Sequence, residues 1–93
     1  MNKQIYKIRV DLDKIDNKIL SLIKKRLILV NKVLIQKNFK KQIIDRKRIK
    51  IILKRIKIKS TKLNIDTKIT EKIWKSMISA FIDYEFRNFK KKI

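Results

Sequence analysis

Apolar residues at Ile5, Ile8, Leu12, Ile15, Ile19, Leu22, Leu29 and Val33 follow one another at intervals of three and four, provided Arg26 is counted in the place between Leu22 and Leu29. This is the a/d repeat by which helices pack along a shared seam. Neither Pro nor Gly breaks the pattern before the stretch "NFKKQ" at 38 to 42. The spacing predicts one helix from about residue 3 to about residue 38, roughly 50 Å long at about 1.5 Å per residue.

Asp45 can cap a second helix whose inner face holds Ile49, Ile52, Leu53 and Ile56 and which fades near Ser60. After the polar link "STKLN", Asp66 can cap a third helix with Ile69, Ile73, Trp74, Met77, Ile78, Phe81 and Tyr84 turned inward, running to about Phe89. No strand pattern competes, so the fold expected is all-α: three helices per chain, one long and N-terminal, one short and one of medium length. The absence of Gly is compatible with this, because helix links can be polar instead of glycine-rich.

Two short helices of the same small chain cannot cover the whole seam of a helix about 50 Å long. Its bare part calls for another protomer. A symmetric homodimer of intertwined helices is the expected assembly, since two-fold closure buries a self-complementary stripe. One domain over residues 1–93 fits the length and the even composition.

Composition narrows the chemistry. The chain has no Cys and no His, which excludes disulfides, thiolate metal sites, Cys nucleophiles and imidazole acid/base catalysis. The N-terminal "MNKQIYKIRVDLD" carries acids where a signal peptide needs an apolar core, and the longest aliphatic run is "LILV" at 27 to 30. A soluble, cytoplasmic chain without a membrane segment is expected. The formal net charge of +20 points towards nucleic acid or an anionic membrane surface. Lys and Ile, however, make up 42 of the 93 residues while Ala occurs once, at Ala80. That balance matches AT-rich codons, so much of the charge reads as a record of genome composition and nucleic-acid binding is not favoured. The terminal "KKKI" is expected to hang in solvent.

The cation in the seam needs its own account. Arg26 has Leu22 and Ile23 one turn before it and Leu29 and Val30 one turn after, and a buried guanidinium without an anion is very costly. It either snorkels, pairs with an acid on another helix, or holds an anionic ligand inside the bundle. Lys37 lies eleven residues on, close to three whole turns, and so on the same face. Arg48 falls in the first turn of the second helix, where free N–H groups and the helix dipole favour anions. Glu85 shares the inward stripe of Trp74, Ile78 and Phe81, and either neutralises Arg26 or another enclosed cation or carries a proton as a hydrogen-bond donor. Arg9 stands about 100° around the helix from Arg26 and about 25 Å away. It reaches the same ligand only from the other chain of an antiparallel pair; alternatively it pairs with Asp13 at i+4.

The segment "IRVDLDKIDNKILSLIKKRLILVNKVLIQK" resembles the first helix of the all-helical, AroQ-class chorismate mutases, with their Leu-Arg, Ile-Asp, Leu-Leu, Arg and terminal Lys at matching spacings. The later "DRKRIKIIL" and "IWKSMISAFIDYE" are similar to that family's second and third helices. The resemblance implies intertwined three-helix dimers in which Arg26, Lys37 and Arg48 bind one chorismate together with Arg9 from the partner chain. Arg9 and Arg26 hold the two carboxylates, and Lys37 donates to the ether oxygen. Glu85 matches the position where many relatives place Gln against that oxygen, and Asp45 an acid near the substrate hydroxyl. Phe81 stands where relatives have a Ser touching a carboxylate, and Ile49 where they have Glu after the helix-2 Arg. Sliding the second helix would put Arg46 in place of Arg48. Arg48 is preferred because that register also aligns Asp45, Ile52, Leu53 and Ile56.

The implied reaction, chorismate to prephenate in phenylalanine and tyrosine synthesis, is a unimolecular pericyclic rearrangement that needs no cofactor, metal or nucleophile. It is helped by confining the substrate in its folded shape and by placing fixed positive charge at the ether oxygen. An isochorismate pyruvate lyase on the same scaffold is the nearest alternative. A non-enzymatic basic helical protein that binds nucleic acid or forms a coiled coil is the alternative from another class.

Overall fold

A computed structural model describes Asn2–Lys91. Three α-helices follow in chain order, α1 (Lys3–Gln36), α2 (Arg46–Lys62) and α3 (Thr67–Asn88), with a 3₁₀ turn over Lys40–Gln42 between the first two. Among the described residues there is no strand, and no helix is long and apolar enough to cross a membrane. The chain divides into two units, the first ending at Lys32 and the second beginning at Val33.

The first unit is the greater part of α1. Its predicted stripe is bare in the single chain: Ile5, Ile8, Leu12, Ile15, Ile19 and Leu22 are all exposed. Arg26, in the same stripe, is half-buried.

The second unit begins with the end of α1, which comes two residues earlier than the spacing predicted. The helix closes at Gln36, and the Lys37 amide donates to the Leu34 carbonyl in a tighter i−3 turn. The following loop is fixed by Gln42, whose Oε1 accepts from the amides of Asn38 at 2.7 Å and Phe39 at 2.8 Å. Ile43 and Leu34 are the buried apolar residues among the described ones.

The caps read from the sequence form as expected. Asp45 Oδ1 accepts from the Arg48 amide at 3.0 Å to start α2, and Asp66 Oδ1 accepts from the Lys68 amide at 2.9 Å to start α3. The link between these helices is shorter than "STKLN" suggested, because Ser60, Thr61 and Lys62 continue α2 and only Leu63–Asp66 connects. Asn64 takes a left-handed backbone at φ 57°. The Asn64 amide donates to Thr61 O at 3.2 Å and the Ile65 amide to Ser60 O at 2.9 Å, the crossed pair that closes a helix through a left-handed residue. Asn accepts that conformation better than any other residue except Gly, which is how a chain without glycine makes a tight helix hairpin.

α2 and α3 pack on each other through half-buried Ile49, Ile52, Leu53 and Ile56 on one side and Trp74, Met77, Ile78 and Phe81 on the other. Ser60 sits one turn beyond Ile56 on the same face. It donates to Ile56 O at 2.6 Å and shares a 2.8 Å hydrogen bond with Thr70, both side chains being buried. Ile69 and Ile73, expected to face inward, are exposed instead. Position 70 faces α2, and 69 and 73 flank it on the open side of α3. Of the terminal "KKKI", Lys90 and Lys91 are exposed and the last two residues lie outside the described ones.

Candidate active site

The decisive geometry joins two residues 48 positions apart. Lys37, just past the end of α1, donates from Nζ to Glu85 Oε1 on α3 at 3.0 Å. Glu85 is only 6% exposed, and the Lys37 side chain only 16%. A carboxylate held this far from water needs a cation, since its lone pairs have lost their solvent. Of the cations within reach in the sequence, Lys37 is the one that meets Glu85. An ammonium has three donors, so Lys37 keeps two N–H groups for another acceptor while it holds Glu85. One turn before Glu85, Phe81 is half-buried on the same face of α3.

The remaining predicted residues have distinct settings. Asp45 uses Oδ1 as the α2 cap, which ties the carboxylate to the same turn that carries Arg48. Arg48, the third residue of α2, is exposed, with its backbone amide held by Asp45 and its guanidinium open to solvent. Arg9 is exposed and Arg26 half-buried, both on the α1 segment of the first unit. The structure therefore brings together Lys37 with Glu85, and Asp45 with the backbone of Arg48.

A separate cleft of about 290 Å³ opens between α2 and α3. Leu53, Ile56 and Thr70 floor it, and Lys57 and Glu71 stand at its edge. None of the seven predicted site residues lines this cleft. Glu71 accepts from Lys75 Nζ at 2.8 Å, and this hydrogen bond and the charge of Lys75 hold its carboxyl below the ordinary value. The sequence reading passed over Ser60 and Thr70. Their signal was a hydroxyl at the apolar register, Ser60 lying at i+4 from Ile56 on the inner stripe.

The sequence model of a family described as chorismate mutase type II matches residues 8–86. The chain belongs to that family. The match runs from α1 almost to the end of α3 and so includes Arg9, Arg26, Lys37, Asp45, Arg48, Phe81 and Glu85. No curated protein and no solved structure matches the chain. The pair joins a half-buried Lys just past the end of α1 to a buried carboxyl on α3.

Proposed function

We propose that this chain is a chorismate mutase, converting chorismate to prephenate in phenylalanine and tyrosine biosynthesis, without cofactor, as a cytoplasmic homodimer built from single domains spanning residues 1–93. The observation that carries the reading is the Lys37–Glu85 pair, enclosed at 3.0 Å in a chain of the type II chorismate mutase family. In the reaction the ether C–O bond breaks as a new C–C bond forms within the same molecule, and negative charge gathers on the ether oxygen. An ammonium already oriented by Glu85 stabilises that charge without reorganising at the moment of reaction. Glu85, when protonated, adds a second donor to the same oxygen. Arg26 and Arg9 of the second chain hold the two carboxylates, Arg48 adds positive charge beside the guest, Asp45 meets its hydroxyl, and Phe81 packs against it. Planar guanidinium groups suit carboxylates because they bind them with two parallel hydrogen bonds.

The homodimer is supported by the bare stripe on α1 and by a single-chain core whose buried apolar residues, among the described ones, are Leu34 and Ile43. Burying apolar area at about 25 cal/mol per Å² is the main favourable term in folding, and a second copy supplies a matching stripe. The test is direct: incubation with chorismate, and separately with isochorismate, followed by identification of products. Prephenate from chorismate supports the proposal. Release of pyruvate from isochorismate, with no prephenate formed, replaces it with the lyase reading.

A further inference from the structure

The positive charge of the chain is sorted, not spread. α2 has nine cations and no acid in 17 residues, whereas α3 has four cations and three acids in 22, and α1 nine and three in 34. A codon bias acts on all three helices alike and does not produce this sorting. Along α2, Lys47, Lys50, Lys54 and Lys57 follow at steps of three and four, so like charges sit beside one another and weaken the helix.

The order of the outward residues is equally regular. Taking Ile51 and Ile58 as the a positions of a heptad, Lys47 and Lys54 fall at d, Lys50 and Lys57 at g, and Arg55 and Lys62 at e. All of these are exposed; Ile51, Ile58, Lys47, Arg55 and Lys62 lie away from the side packed on α3 by Ile49, Ile52, Leu53 and Ile56, while Lys54 and Lys57 also border the cleft between α2 and α3. Ile51 is 50% and Ile58 47% exposed, each ringed by cations.

We infer that the outward face of α2 docks an acidic amphipathic helix of a partner protein. The isoleucines supply the apolar centre of a short helical seam, and the cations at d, e and g meet carboxylates on both of its edges. A second α2 cannot fill the place, because it presents the same cations. Phosphates of a nucleic acid would neutralise the charge and leave the two isoleucines facing water, and two isolated apolar side chains give little insertion into a lipid surface. The inference does not rest on the mutase reading; Arg48, also an e position, is left to the substrate site, and Arg55 and Lys62 serve the docking face.

The test uses the full chain and a synthetic helix of three heptads with Leu at a and Glu at d, e and g, a control helix with Gln at a, a duplex DNA fragment, and vesicles of phosphatidylserine and phosphatidylcholine. The Leu helix is expected to bind, and Ile51→Ser/Ile58→Ser to weaken it roughly 30-fold, as losing the burial of two half-exposed isoleucines implies. Lys50→Glu/Arg55→Glu, which relieves repulsion within α2, abolishes binding while circular dichroism reports an intact helix. Equal affinity for the Leu and Gln helices overturns the inference, as does tighter binding to DNA or vesicles than to the Leu helix. Loss of self-association in Ile51→Ser/Ile58→Ser also overturns it, by assigning the face to a second copy.

Discussion

Removing the cation from the Lys37–Glu85 pair tests whether the site is enclosed. In Lys37→Met the stem keeps its volume while the Glu85 carboxylate, 6% exposed, loses the ammonium 3.0 Å away. Breaking a buried ion pair from one side costs about 3 to 5 kcal/mol, because the surviving charge stays desolvated. The Lys37 side chain is 16% exposed, so some water enters after its removal and the lower end, about 3 kcal/mol, is expected. That is a drop in Tm of roughly 12 to 24 °C for a chain of this size, compared at one protein concentration because assembly contributes to stability. Glu85→Gln keeps an amide oxygen facing Lys37 and is expected to cost only about 1 kcal/mol. The double variant should fall well short of the sum, with a coupling of about 2 kcal/mol, since the stranded carboxylate is gone. Urea unfolding followed by the fluorescence of Trp74, the single tryptophan and half-buried on α3, reads all four proteins. A cost below about 1 kcal/mol for Lys37→Met, additive with Glu85→Gln, would refute the enclosure on which the site rests.

Three further outcomes follow. Because an amide can donate to the ether oxygen and a carboxylate cannot, Glu85→Gln should raise mutase turnover measured with chorismate; unchanged turnover would remove Glu85 from that role. Glu71 has its folded-state carboxyl held low by Lys75, so its contribution is present above the unfolded value and lost as pH falls through the folded one. Glu71→Gln should therefore be less stable than the parent near neutrality, match it in acid, and lose the difference in high salt, all read by thermal unfolding. At Asn64, held at φ 57°, Gly should stabilise the α2–α3 hairpin slightly and Val should destabilise it by about 1 to 2 kcal/mol, measured by urea titration.

The helices and their starts were legible because they are encoded locally. The three-and-four spacing in α1, and Asp45 and Asp66 ahead of apolar runs, involve residues within a turn or two of each other, where sequence distance and spatial distance agree. Arg26 and Lys37 were legible as cations on an apolar face of α1. That Glu85 lies inward was readable from the stripe of α3, and which cation meets it was not.

What sequence alone determined, then, is an all-α chain with three helices of unequal length, the caps of the second and third, and a seam on the first that the single chain leaves bare. Tertiary structure decided the rest. It ended α1 at Gln36, carried α2 through Lys62, left Ile69 and Ile73 exposed, and joined Ser60 to Thr70 and Lys37 to Glu85. Each of these depends on which face of one helix meets another, or on where a loop turns the chain. Periodicity gives the direction of a side chain around its own axis, but only packing fixes the neighbour it finds there.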